Sequence, residues 1–311
     1  MSLKLTLPKT DLAVHPLCLG GNVFGWSADK DESFAVLDAY VAHGGNFIDT
    51  ADMYSEWAPG NKGHDSEAII GEWMKARGNR SEMVIATKVA KLSSRPGLSA
   101  SNIAAAIDDS LAALQTDYVD LYYAHEDDAN TPLEESLEAF DVTVKSGKVR
   151  YIAASNYSAD RLSAALEVSR INSFASFVAI QNMYNLVERN PYESEIAPVV
   201  IEEGLSGIPY FGLARGFLTG KYRAGVTIDS VRAGGVTSYQ NAEGYAVVDA
   251  LEQIAKEHGA SIASIALAWL RAQPSISTPI ASARTVEQLE DIVKVVHLTE
   301  KELTLLSSLK D

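Results

Sequence analysis

Residues 46–54 read NFIDTADMY. The segment begins as a buried strand does, with Phe47 and Ile48. It then sets Asp49, Thr50, Asp52 and Tyr54 within six positions. A core strand that runs into two carboxylates and a phenol either opens an ordinary polar loop or delivers reactive groups to a site at its end. The neighbouring segments bear on the choice. MVIATK at 83–88 and VDLYYAH at 119–125 are also apolar and rich in β-branched and aromatic residues, and they close on Lys88 and His125. A lysine at the edge of a core carries a desolvation cost unless a carboxylate meets it. Asp49 stands on the adjacent strand candidate.

The same alternation continues in both directions. Strand candidates 16–19, 46–49, 83–88 and 119–125 are followed by helical spacings at 31–42, 65–77, 100–114 and 132–146. Pro132 stands where a first helical turn accepts proline. Further on, 149–155 precedes 158–170, with Ser158 as N-cap, and 177–182 precedes 191–203. Strand candidate 206–212 leads through an irregular stretch to helices at 245–258 and 261–271. The last strand candidate, 275–281, leads to helices at 286–296 and near 300–309. Continuous apolar strands suit a parallel sheet covered by helices, and eight such units predict a closed (β/α)8 TIM barrel. The expected arrangement is a single domain over 1–311, with extra C-terminal helices and an N-terminal hairpin (residues 2–15, turning at PKTD) that closes the N-terminal mouth. The competing architecture is an open doubly wound sheet. Against it, GGNVFG at 20–25 holds no G-x-G-x-x-G phosphate fingerprint. Residues 220–244, rich in Gly, Ser and Thr, read as a mobile loop.

Composition removes several function classes. The 311 residues are 47% hydrophobic and 22% charged, as in ordinary globular proteins. The net charge is −15, with no cluster of Lys and Arg to neutralise a phosphate backbone. No nucleic-acid partner is expected. No apolar run approaches the ~18 residues of a membrane span, and the first residues lack a signal-peptide pattern. A cytoplasmic protein with no membrane association is expected. The single cysteine, Cys18, forms no internal disulfide and reads as a small core residue in HPLCLGG. The sequence carries no signal for an oligomeric state.

In a (β/α)8 barrel the active site lies at the C-terminal ends of the strands. Asp49, Lys88 and His125 close three consecutive strand candidates, and Tyr54 follows the first of them. A tyrosine with a pKa of ~10 is a poor acid at neutral pH, and a neighbouring ammonium lowers that pKa. An aspartate would keep the lysine charged and oriented, and a histidine can hydrogen-bond a carbonyl oxygen. Such a group polarises and protonates a carbonyl. It contains no good nucleophile and no metal-ligand spacing, which points to hydride from a cofactor. Singly, each residue reads as a loop cap, a surface lysine or a half-buried histidine. Their joint placement favours chemistry.

At this point the segments NFIDTADMY, VIATK, DLYYAH, ASNYS, QNMYNLVER, LARGFLTGKY and PIASARTVEQLED resemble, in order and across residues 17–294, those of the aldo-keto reductase family. The resemblance is to the bacterial branch near the potassium-channel β-subunit-like reductases. It implies an NADP(H)-dependent oxidoreductase that reduces aldehyde and ketone carbonyls to alcohols. It gives Tyr54 the role of general acid in reduction and base in oxidation. Lys88 would lower its pKa, Asp49 would pair with Lys88, and His125 would orient the carbonyl. The family binds its cofactor extended, without a Rossmann motif. By the resemblance, Gly21, Asn22 and Val23 contact the cofactor, Ser155, Asn156 and Gln181 hold the nicotinamide carboxamide, and Tyr184 stacks on the ring. Leu213, Arg215, Gly216, Leu218, Gly220 and Lys221 would meet the pyrophosphate. Ala281, Ser282, Arg284, Gln288 and Asp291 would continue to the adenosine, with Arg284 on a 2′-phosphate.

Three departures from the family pattern bear on cofactor affinity. Tyr-Ser-Pro-Leu is here Tyr210, Phe211, Gly212, Leu213. Pro-Gly-x-Arg is Ala281, Ser282, Ala283, Arg284. The Asn that ends Gln-Leu-x-x-Asn is Ile292. Val23, Phe24, Trp26, Tyr54, Trp57 and Tyr123 are expected to form an aromatic pocket for a small-molecule carbonyl substrate. The competing readings are a nucleotide-binding redox sensor or regulatory subunit with vestigial chemistry, and a hydrolase that uses Asp49 and Asp52 as paired carboxylates.

Overall fold

A computed structural model describes residues 4–226 and 233–309. The chain opens with the expected hairpin, β1 (Leu5–Thr6) paired antiparallel with β2 (Ala13–Val14). Leu7, Leu12 and Val14 pack against Cys18, Phe47, Val84, Leu121 and Ile280 in one buried cluster. Asn46, just before the second barrel strand, ties the hairpin down. Its side chain accepts from the His15 N–H at 2.9 Å and donates to the Ala13 carbonyl at 2.9 Å. The hairpin thus sits at the N-terminal ends of the strands. Cys18 is fully buried in the same cluster.

Eight parallel strands follow, β3 (Cys18–Gly20), β4 (Phe47–Asp49), β5 (Val84–Val89), β6 (Val119–Ala124), β7 (Val149–Ser155), β8 (Phe177–Gln181), β9 (Ser206–Gly207) and β10 (Ile280–Ala281). They run in the order β10-β3-β4-β5-β6-β7-β8-β9. The two outer strands are joined by backbone hydrogen bonds. The Gly207 N–H donates to Ser275 at 3.0 Å, Ser277 to Gly207 at 2.9 Å, and Ile280 to Pro209 at 2.9 Å. The sheet therefore closes into a barrel, and the open doubly wound alternative is set aside. Gly207 is required at the seam, because a Cβ there would lie 2.2 Å from the Ser275 carbonyl oxygen. The strands expected at 206–212 and 275–281 keep only two ladder residues each. Pro209 and Pro279 have no N–H to donate there.

The helices are α1 (Lys30–Ala42), α2 (Asp65–Arg77), α3 (Ala100–Leu114), α4 (Leu133–Lys145), α5 (Ala159–Asn172), α6 (Ala197–Glu202), α7 (Ala242–His258), α8 (Ile262–Arg271), α9 (Val286–Val293) and α10 (Glu300–Ser307). Ser158 caps α5 as expected. The helix expected over 191–203 is instead a π-helical turn at Tyr192–Ile196 that runs into the short α6. Pro198 interrupts the regular ladder there because it has no N–H. α7 begins earlier than its apolar pattern, since Asn241 accepts from the Gly244 N–H and caps it. Among the described residues no helix is long and apolar enough to cross a membrane.

Side-chain alternation explains where the site forms. Successive strand residues point to opposite faces. Phe47, Ala86, Tyr123, Ala153 and Ala179 belong to the cluster inside the barrel, whereas Ile48, Ile85, Tyr122, Ile152 and Ile180 pack outward under the helices. Two residues further along each strand, on the inward parity, stand Asp49, Lys88, His125, Ser155 and Gln181. The pleat aims them at one place, the C-terminal mouth.

Candidate active site

The Lys88 ammonium is fully buried, and its three donors are all used. It donates to Asp49 Oδ2 at 2.6 Å, to the Tyr54 hydroxyl at 2.7 Å and to the Thr50 carbonyl at 2.9 Å. The Tyr54 hydroxyl in turn donates to Asp49 Oδ2 at 3.3 Å. Gln181 donates to the other Asp49 oxygen at 2.9 Å. His125 stands beside the phenol, with ring centroids 5.9 Å apart and planes near perpendicular at 75°. The structure thus brings Asp49, Tyr54, Lys88 and His125 together.

Their electrostatics differ from the sequence expectation in one respect. Burial, and then the Asp49 carboxylate, raise the Tyr54 pKa well above that of an ordinary phenol. The expected lowering by Lys88 is absent, because Asp49 sits against both groups and offsets the ammonium's charge. Tyr54 therefore rests protonated. Burial pulls the Lys88 ammonium down while Asp49 pulls it up. Burial, with the charges of Lys88 and Lys91, takes His125 well below its usual range and leaves it neutral.

Above these groups lies a cavity of about 680 Å³. Asn22, Val23, Tyr54, Trp57, Ser155, Asn156 and Gln181 line it near the strand ends. Leu213, Arg215, Gly216 and Lys221 line it from the loop after β9, and Ala281, Ser282, Arg284, Gln288 and Asp291 from β10 and α9. Arg215 lies in a run of left-handed backbone, with φ of 54° at Phe211, 46° at Ala214, 58° at Arg215 and 96° at Gly216. Its guanidinium stacks 4.6 Å over the Phe211 ring, and its buried Nε has no partner among the described residues.

Several expected residues do not reach the cavity. Tyr184 is buried, stacks on Tyr192 at 4.4 Å and donates to Glu193 at 2.6 Å. Tyr210, by contrast, does line the cavity, and its hydroxyl donates to Asn156 Oδ1 at 2.7 Å. Phe24 and Leu218 are core residues. Tyr123 lies under the site, its ring centroid 5.9 Å from Lys88 Nζ. Trp26 buttresses Trp57 edge-on at 5.6 Å. Gly21 and Gly220 lie off the wall, against Ser66 and Ile262. Met53, Lys91, Phe211, Thr219 and Ile292 line the cavity without having been expected there as contacts. Phe211 and Ile292, like the adjacent Gly212 on the same wall, carried a signal as departures from the family pattern. Of the segment 220–244, residues 227–232 lie outside the described residues. Val236 and Tyr239 are buried, with Tyr239 against Phe217 at 5.6 Å.

A second buried group stands behind the site. Glu67 is fully buried, accepts from the Thr87 hydroxyl and meets His64 Nδ1 at 2.5 Å. Asp52 is buried beside them, and among the described residues no side chain hydrogen-bonds either of its oxygens. Asp49 is committed to Lys88 and Asp52 lies on this other group, so the paired-carboxylate reading finds no support. Burial, and then Glu67, push Asp52 up to about 7. An unfolded Asp titrates near ~3.9. Between those values the native chain holds a proton that the unfolded chain has released, so this group's contribution to stability falls as pH rises through that window. Asp52→Asn is expected to stabilise the protein by on the order of 1–3 kcal/mol at pH 8, with little effect at pH 4. Thermal melts of both proteins across that range check it.

Comparison with known proteins adds the family. The chain is 36% identical to the uncharacterized oxidoreductase YrpG of Bacillus subtilis (strain 168) over 310 residues, covering 96% of this chain and 92% of that protein. It is 34% identical to the aryl-alcohol dehydrogenase [NADP(+)] of Phanerodontia chrysosporium, covering 91% and 78%. It is 32% identical to a probable voltage-gated potassium channel subunit beta of Arabidopsis thaliana, covering 93% and 90%. The model of the aldo/keto reductase family matches residues 16–311, and the chain belongs to that family.

Proposed function

We propose that this protein is an NADP(H)-dependent carbonyl reductase in which Tyr54 is the general acid. The observation that carries the reading is the Tyr54 hydroxyl on the cavity wall, held by Lys88 at 2.7 Å and flanked by His125, with burial favouring the protonated phenol and the neutral imidazole. In reduction His125 donates a hydrogen bond to the substrate oxygen, and Tyr54 gives its proton to that oxygen as negative charge develops there. Lys88 then stabilises the resulting phenolate. In oxidation the same phenolate takes the proton back.

The cavity's donors fit a dinucleotide phosphate. Ser155, Asn156 and Gln181 bring amides and a hydroxyl to the strand ends, where a carboxamide would bind. Tyr210, not Tyr184, supplies the ring for stacking on nicotinamide. Arg215 Nε, without a partner among the described residues, suits a pyrophosphate together with Lys221, and Arg284 beside the start of α9 suits a 2′-phosphate. When bound, the reduced nicotinamide supplies the hydride. The name of the fungal relative, an aryl-alcohol dehydrogenase using NADP(+), agrees in both substrate type and cofactor.

Arg284 gives the test of the cofactor. Arg284→Ala is expected to weaken NADPH binding about 10- to 100-fold, the range of a lost charged hydrogen bond, and to change NADH binding far less. Fluorescence titration of both proteins with both cofactors measures it. Equal losses for NADPH and NADH would remove the 2′-phosphate role.

A further inference from the structure

Beyond the reaction itself, the cavity wall carries one cation near the substrate end that the proposed chemistry does not use. Lys91 lines the cavity with Val23, Met53, Tyr54, Trp57 and His125. Its charge reaches the catalytic end, being one of the two that depress His125. Its position is imposed by the backbone. Ala90, buried between the end of β5 and Lys91, is held at φ 119°, a region that residues with a Cβ rarely adopt. The Gly97 N–H pins the Ala90 carbonyl at 2.8 Å. Such strain is kept where a site needs a particular direction.

The partner of Lys91 is replaceable. Its ammonium meets Glu126 at 2.9 Å, but the two side chains are 35% and 45% exposed. Partly exposed pairs of this kind contribute little to stability, so a substrate anion competes with Glu126 at small cost. Trp57 is 45% exposed, backed edge-on by Trp26, and offers an aromatic surface next to Tyr54 at 6.3 Å. The chain as a whole carries a net charge of −15, which repels anions at long range. A local cation beside the reacting groups is the means by which an anionic substrate would still be held.

We infer that Lys91 is a specificity-determining residue, and that the preferred substrates are aromatic carbonyl compounds bearing a carboxylate or similar anion. The ring lies against Trp57, the carbonyl faces Tyr54 and His125, and the anion displaces Glu126 from Lys91. The inference rests on the reductase reading for its carbonyl, and on Lys91 and Trp57 for its anion and ring.

The probes are 4-formylbenzoate and its neutral methyl ester, whose ring and carbonyl are closely matched. The expected result is a higher kcat/KM for the carboxylate. That preference should fall about tenfold or more in Lys91→Met, persist in Lys91→Arg, rise in Glu126→Gln and weaken with added salt. Binding of 4-formylbenzoate, followed by tryptophan fluorescence in the same variants, provides a readout independent of turnover. Lys91-dependent binding without turnover would uphold this inference and remove the reductase reading. Turnover of both aldehydes with a ratio that Lys91→Met leaves unchanged would do the reverse. Absence of both binding and turnover would overturn the two together.

Discussion

Tyr54→Phe is expected to lower the rate of carbonyl reduction by about 10²- to 10⁴-fold, the usual worth of a positioned general acid, while NADPH binding stays close to that of the wild type. The phenol is the only group among Asp49, Tyr54, Lys88 and His125 that rests protonated, faces the cavity and receives a hydrogen bond from an ammonium that can stabilise its conjugate base. Phenylalanine keeps the ring and its edge contacts with His125 and Trp57. It removes only the proton and the acceptor. Single-turnover decay of the reduced nicotinamide band, with a separate cofactor titration, separates the two quantities. Turnover at the wild-type rate with normal binding would remove Tyr54 from the mechanism.

The second large effect concerns Lys88. Lys88→Met leaves Asp49, itself 1% exposed, without its cation. Breaking a buried pair in this way costs about 3–5 kcal/mol, so the variant is expected to melt well below the wild type. It also removes the donor that holds the Tyr54 oxygen. The double change Asp49→Asn with Lys88→Met removes the stranded charge. It should recover much of the stability and none of the turnover, because the phenolate still lacks its stabilising cation. Recovery of both would mean that the pair serves the fold alone. Recovery of neither would mean that the lost stability comes from packing around the Lys88 stem.

Much of this site was legible because the relevant signal is local. A strand has a period of two, and apolar strands that end on Asp49, Lys88 and His125 announce which face those residues share once the barrel closes. Tyr54 was legible because it follows the first of these ends at short range. What failed was longer in range or depended on the environment. Tyr184 and Tyr210 are both aromatic residues at strand ends, and only the packing of Tyr192 and Glu193 shows that Tyr184 is turned into the core. The sequence shows Lys88 as a neighbour that lowers the Tyr54 pKa, whereas burial and Asp49, visible only in the folded chain, raise it. The short β9 and β10 follow from Pro209 and Pro279, whose effect on ladder length appears only when their partners across the seam are known. Lys91 was silent because its direction depends on the backbone angle of Ala90, which no alanine in a sequence reveals.

The most direct test of the account is one cuvette of purified wild-type protein saturated with NADPH, to which an aromatic aldehyde is added while the reduced nicotinamide absorbance is followed. A carbonyl reductase gives an aldehyde-dependent loss of that band with formation of an equal amount of the alcohol. Tight NADPH binding with no loss of absorbance across several aromatic aldehydes and ketones would contradict it, and would leave a protein that binds the nucleotide without using it.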